Sequence, residues 1–193
     1  MGLFTKHNLS DEELVKGCIS GDRRCQKILY DRYSAKMYGI CLRYCGDKDS
    51  AQDALQEGFI LVFAKIMDFS FKGSLEGWIK RIIINASLEL LRKKGDNLRI
   101  ENVSEMEFDI AYEDVFHKFA ANDLLEMIGN LPAGCRAVFN MYAIEGFDHK
   151  EIASMLSISE GTSKSQLSRA RTLLKEEILK SDKNNKGAYG RAQ

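Results

Sequence analysis

Pro132 is the only proline in a chain of 193 residues. Proline removes a backbone donor and clashes with the preceding turn, so its scarcity leaves long stretches free to wind as helix. Alternation of apolar and polar residues, the mark of a half-buried strand, is almost missing, whereas apolar residues recur at spacings of three and four. The chain is expected to be all-α, with two small helical domains joined by an acidic linker and a helix-turn-helix ending the second.

The first domain is expected over 8–96. Ser10 and Glu13 form a capping box, in which the hydroxyl holds a free amide and the carboxylate reaches back. Gly21 ends that helix. A second helix starts near Asp22 and carries the apolar stripe Ile28, Leu29, Tyr33, Met37, Cys41 and Tyr44, until "CGDKDS" breaks it. A third spans 50–67 and buries Leu55, Phe59, Val62, Phe63 and Ile66. After the loop "DFSFKGSLEG", a fourth runs from about Trp78, itself expected in the core, to Lys94. Residues 97–123 hold seven acids against two bases with weak apolar periodicity, so 97–122 reads as the acidic linker, with a short helix near 112–121. The second domain, 123–180, has an apolar helix through Leu124 to Leu131, then Pro132 at the first turn of the next, which stops at Gly146. Two short helices follow, and 181–193 is a polar tail expected to be disordered.

"SISEGTSKSQLSRARTLLKEE" carries the clearest chemistry. Ile152, Ala153, Leu156, Ile158, Leu167, Ala170 and Leu174 can pack two helices across a turn. Thr162, Lys164, Ser165, Gln166, Ser168, Arg169 and Arg171 belong to the second helix, and 162–175 holds four bases and no acid. Lysine and arginine neutralise phosphates, and arginine and glutamine read base edges in the major groove. A solvated amphipathic helix is the competing reading. A second basic region, 72–94, has six bases and two acids, with Lys72, Lys80, Arg81, Asn85 and Arg92 as its DNA-facing candidates. Arg81, Asn85, Leu88 and Arg92 recur at helical spacing as an outward stripe. Asn85 can hydrogen-bond a displaced base, or equally serve as a capping or core amide. On the third helix Asp53, Gln56 and Glu57 lie on one side, suited to a basic protein partner. Taken alone, that stripe reads as ordinary solvated charge.

Five cysteines (Cys18, Cys25, Cys41, Cys45, Cys135) are expected as buried small apolar residues, because the histidines lie far from them in sequence and no ligand spacing appears. No metal, cofactor or catalytic residue is expected. Enzymes are disfavoured, since no glycine-rich phosphate loop and no nucleophile–base pair can be found. The N-terminal residues lack a signal-peptide core and no run of ~20 apolar residues exists, so membrane insertion is excluded and a cytoplasmic location is expected.

Together, "GDRRCQKILYDRY", "DSAQDALQEGFILVF", "FKGSLEGWIKRIIINASLELLRKK" and "LPAGCRAVFNMYAIEGFDHKEIASMLSISEGTSKSQLSRARTLLKE" resemble the extracytoplasmic-function group of the sigma-70 family, bacterial transcription initiation factors, over about 10–180. The resemblance implies that Asp53, Gln56 and Glu57 dock on the β′ subunit of core RNA polymerase. It implies that the loop 69–77 and the helix around Asn85 open the −10 element and hold a flipped base. It places 164–171 in the major groove of the −35 element, with the opposite side on the β subunit, and the linker in the active-site and RNA-exit channel. An anti-sigma factor is an expected partner. Four residues depart from the pattern: Ser163 for an aliphatic, Gln166 for arginine, Gln26 for phenylalanine and Ser157 for glycine. With 28 bases against 28 acids, the isolated chain should bind DNA weakly, because phosphate neutralisation supplies most non-specific affinity. The rival reading is a stand-alone helix-turn-helix regulator that binds operators without polymerase. A sigma mimic that only captures an anti-sigma factor would not need the basic recognition helix.

Overall fold

The computed structural model describes residues 9–94 and 121–189, and no strand occurs among them. Four helices come first: α1 Asp11–Ile19, α2 Arg23–Cys45, α3 Lys48–Lys65 and α4 Leu75–Lys93. After the interval that is not described come α5 Ala121–Gly129, α6 Ala133–Phe139, α7 His149–Leu156 and α8 Glu160–Tyr189. The acidic stretch falls almost wholly on 95–120, outside the described residues, as does the short helix expected near 112–121.

Local chemistry sets most helix starts. The Ser10–Glu13 capping box is present, Glu13 N–H donating to Ser10 Oγ at 3.2 Å while Ser10 N–H donates to Glu13 Oε2 at 2.8 Å. Asp22 and Asp47 cap α2 and α3; the Arg24 amide holds the Asp22 carboxyl below its ordinary value, and the Ser50 hydroxyl, then the Ser50 amide, does the same for Asp47. Helix α4 begins at Leu75 rather than Trp78, because Ser74 Oγ accepts the Gly77 amide at 3.0 Å. Trp78 lies half-buried against the core, its ring 5.5 Å from that of Phe69. At the other end, α8 continues to Tyr189, past the end expected at 180; after Gly161 in its first turn, no glycine falls in it before Gly187.

Helices α2, α3 and α4 pack around Leu29, Met37, Leu55, Phe59, Ile79 and Ile83, and this core continues into Val138, Met141, Ile152, Leu167 and Leu174 of the second group. All five cysteines are buried free thiols, and burial pushes Cys41 to about 11 and Cys45 to about 12. Helices α3 and α4 cross closely at Gly58, where an added Cβ would overlap the Ile83 side chain and stand 3.5 Å from Ile83 Cα. Ile83 is fully buried, so the methyl it would have to move has no space to move into. Gly58→Val should therefore destabilise the chain by about 1–3 kcal/mol through overpacking, read as a lower urea midpoint at constant slope.

The last two helices make the expected helix-turn-helix. Asp148 and Glu151 form a second capping box on α7. Ser157 ends it in the left-handed conformation, φ 55°, and Ile158 N–H donates back to Ala153 O at 3.0 Å. Serine thus fills a turn where glycine would be free of the Cβ penalty. Between α6 and α7, Asn140–Ile144 winds as a π turn, leading into Gly146.

Candidate nucleic-acid interface

Three surfaces can be built from the helices. On α8, Ser163, Gln166, Leu167, Ala170 and Leu174 face inward, while Lys164 and Arg169 are exposed and Arg171 is half-buried. Gln166 is a correction: it is 0 % exposed, packed so tightly against α6 that a Cβ on Gly134 would stand 2.6 Å from its Oε1. It cannot reach a base edge from there. Thr162 and Ser165 are also engaged in the helix itself. Thr162 N–H donates to Ser159 Oγ at 2.9 Å, completing the N-terminal cap, and Ser165 Oγ donates to Thr162 O at 3.0 Å. Arg169 leans to a flank, lining a cleft with Leu131, Pro132, Leu173 and Glu177. The remaining outward row is Lys164, Ser168 and Arg171.

Ser163 explains its own departure from an aliphatic residue. It is fully buried, and its hydroxyl lies 2.9 Å from His149 Nδ1. The His149 ring stacks on Tyr142 at 4.6 Å and 20°, and the Arg171 guanidinium sits 5.9 Å above the Tyr142 ring. Stacking and a hydrogen bond thus replace apolar packing in seating the recognition helix. Burial, then Lys164 and Arg171, pushes the His149 pKa below its ordinary 6.5, with Glu160 and Asp148 opposing. The fold therefore holds a neutral imidazole. Below pH about 6.5 the unfolded chain takes up a proton that the folded chain resists, so this contribution to stability is present above that pH and lost as pH falls. Thermal melts from pH 7.5 to 5.5 should show a falling midpoint, and His149→Gln should flatten the fall.

On α4, Arg81 and Asn85 are exposed, and the Asn85 amide makes no hydrogen bond among the described residues. That excludes the capping and core readings and leaves an amide open to a ligand. Leu88 does not belong to the outward stripe: at 1 % exposed it joins the core, because the buried arc of α4 meets both α2 and α3. Lys72 is exposed in the loop before α4. Lys80 and Arg92 are engaged elsewhere. Lys80 Nζ pairs with Glu145 Oε2 at 2.7 Å, and Arg92 Nη2 donates to Met155 O at 2.7 Å. Sequence reasoning missed Phe71. It sits at φ 57° with its ring half exposed, 4.8 Å from Phe69, beside Lys72. A bulky residue in that conformation is strained. An exposed aromatic in a basic loop supplies a stacking face, and the run "FSFKG" was the available signal.

On α3, Asp53, Gln56 and Glu57 are all exposed, opposite buried Ala51, Ala54, Leu55 and Gly58. Ile60, 61 % exposed, continues the same face by one turn and was also missed. The stripe is thus acidic with an apolar end, which suits a partner surface better than solvated charge alone. Among the described residues no group of histidine, cysteine and carboxylate side chains could hold a metal ion, and no helix is long and apolar enough to cross a membrane.

Comparison with known proteins converges on one family. Residues 29–96 match the model for sigma-70 region 2 and residues 121–174 that for sigma-70 region 4. The chain is 30 % identical over 158 residues to the ECF RNA polymerase sigma factor SigE of Mycolicibacterium smegmatis, covering 79 % of this chain and 61 % of that protein. It is 25 % identical over 182 residues to the ECF RNA polymerase sigma-E factor of Haemophilus influenzae, 88 % of this chain and 96 % of that one. Among solved structures, the sigma factor RpoE of Bartonella quintana, in complex with the anti-sigma factor NepR, shares the fold with a TM-score of 0.51. It is 24 % identical, covering 81 % of this chain and 97 % of that one. The basic helix-turn-helix, the second basic helix and the acidic stripe thus occur in a chain that belongs to the sigma-70 family, as an extracytoplasmic-function RNA polymerase sigma factor.

Proposed function

We propose that the chain binds core RNA polymerase through Asp53, Gln56, Glu57 and Ile60, reads the −35 element with the Lys164–Ser168–Arg171 row, and opens the −10 element with Lys72, Arg81, Asn85 and Phe71. The observation that carries this division of labour is Asn85: an exposed, unengaged amide in the middle of a helix, one turn from exposed Arg81. Such an amide stabilises no fold, and asparagine is a weak helix former, whereas it suits the edge of an unpaired base. Lys80 and Arg92 join this surface once released from Glu145 and Met155. Residues 8–96 and 123–180 act as the two domains, with 97–122 as the connector in the polymerase channel. The chain acts in the cytoplasm and performs no catalysis itself. An anti-sigma factor, the partner held by the Bartonella relative, is a fitting regulator.

Run-off transcription with bacterial core polymerase on a promoter library tests the reading. Selective transcripts that require the chain are the expected result. Tight operator binding by the chain alone, with no transcripts, would instead establish a stand-alone regulator.

A further inference from the structure

His149, the first residue of α7, is held from two other elements. Its Nδ1 lies 2.9 Å from the hydroxyl of buried Ser163 on α8, and its ring stacks on Tyr142 of the π turn. Nε2, at the far tip of the ring, makes no hydrogen bond among the described residues and is reached by solvent. The imidazole is thus anchored at one nitrogen and open at the other.

The charged and titratable groups facing it come from three elements. Lys164, Arg171 and Glu160 act from α8, Tyr142 from the π turn, and Asp148 from the start of its own helix. Asp148 is already engaged as a cap, its Oδ1 accepting the Glu151 amide at 2.7 Å. Lys164 and Arg171 belong to the outward row of the recognition helix, and the Arg171 guanidinium sits over the same Tyr142 ring. In the free chain these two cations disfavour a third positive charge beside them.

Phosphate reverses that balance. A phosphodiester paired with Lys164 or Arg171 cancels the charge that keeps the imidazole neutral. It also brings a negative charge within about a Debye length of the ring, ~10 Å at 0.1 M salt. Duplex DNA supplies one such charge per ~1.7 Å of its axis. Protonation leaves the seat of α8 intact, because a hydroxyl either donates to a neutral Nδ1 or accepts from a protonated one. Both nitrogens of an imidazolium donate, so Nε2 then turns a proton outward whichever tautomer the free chain holds.

We propose that His149 is a further member of the −35 surface, a phosphate contact made as the imidazolium, so that the chain takes up one proton when the helix-turn-helix closes on DNA. The inference rests on the −35 role assigned above to Lys164, Ser168 and Arg171. It gives acid opposite effects on the two states of the molecule. The free fold loses stability as pH falls, because it resists the proton, while the DNA complex gains affinity, because it binds the proton. A purely structural histidine would make both fall together.

Holoenzyme assembled from core polymerase and the full chain is titrated with a labelled promoter taken from the run-off selection, at pH 7.5 and pH 5.5. One proton taken up on binding is worth at most tenfold in affinity per pH step of one, and about fivefold tightening is expected over this interval. His7, His117 and the polymerase titrate too, so the gain is read as the difference between the parent and His149→Gln, which should lack it. The slope of log affinity against log salt should steepen by about 0.9 on acidification in the parent alone, the mark of one added phosphate contact. His149→Arg, with a permanent charge, should show no fivefold gain between the two pH values. Equal pH dependence in the parent and His149→Gln, both folded by circular dichroism, would overturn the proposal. So would parent affinity that falls on acidification in step with the melting midpoint. A holoenzyme that selects no promoter at all would overturn the −35 role itself, and that result appears before pH is varied.

Discussion

Arg136→Met should cost about 3–5 kcal/mol of stability, the range for breaking a buried charged network by removing one partner. The side chain holds four carbonyl oxygens, two of them at the negative end of the α2 dipole. Methionine fills much of the volume and satisfies none of those acceptors, each of which then stays buried and dry. Arg136→Lys should recover only part of the loss, since one ammonium cannot reproduce a planar fork. Urea unfolding followed by circular dichroism measures both, with Arg23→Ala, on an exposed N-terminal turn, staying within about 0.5 kcal/mol of the parent. A fall in midpoint no larger than that of Arg23→Ala would show that water replaces the guanidinium without cost.

The second large effect concerns function and leaves stability alone. Asp53→Lys reverses charge on an exposed face of α3 whose buried side is untouched. Against a basic partner surface, a like charge costs several kcal/mol. About 3 kcal/mol corresponds to a roughly hundredfold loss of polymerase affinity. Run-off transcription at limiting chain should fall by that factor, and the urea midpoint should not move. Asn85→Ala should separate from it: polymerase binding retained, open-complex formation reduced. If Asp53→Lys transcribes normally, the acidic stripe is solvated charge after all.

Much of this was legible in the residues. Ser10, Asp22, Pro132, Gly146 and the Asp148–Glu151 pair announce helix ends because capping is local chemistry, decided within three or four positions. The helix-turn-helix was legible for the same reason, as was the outward placing of Asp53, Gln56, Glu57 and Asn85, which a 3.6-residue period fixes. The misses concern what a face meets. Gln166 has the composition of a reader and the position of a core residue, because Gly134 on another helix leaves room for it. Leu88 is buried by helices from two directions, where periodicity describes one. Arg136 looks like a surface cation until its partners appear 91 and 92 residues earlier. Lys80 was assigned to DNA from charge and Arg92 from charge and helical spacing, and only the fold shows what they touch without it. Phe71 escaped because its exposure depends on a strained backbone that no propensity anticipates.

The burial of the five thiols has a practical consequence. At neutral pH they stay protonated, and Cys18, Cys41 and Cys45 are pushed to about 11, 11 and 12. A thiolate forms, and reacts with a disulfide reagent, only after its cover has moved. The chain therefore carries its own clocks. Cys45 lies at the end of α2 beneath Arg136, and Cys18 lies in α1 away from that contact. The ratio of their labelling rates distinguishes a local opening at the Arg136 contact from unfolding of the whole chain, with no foreign probe installed.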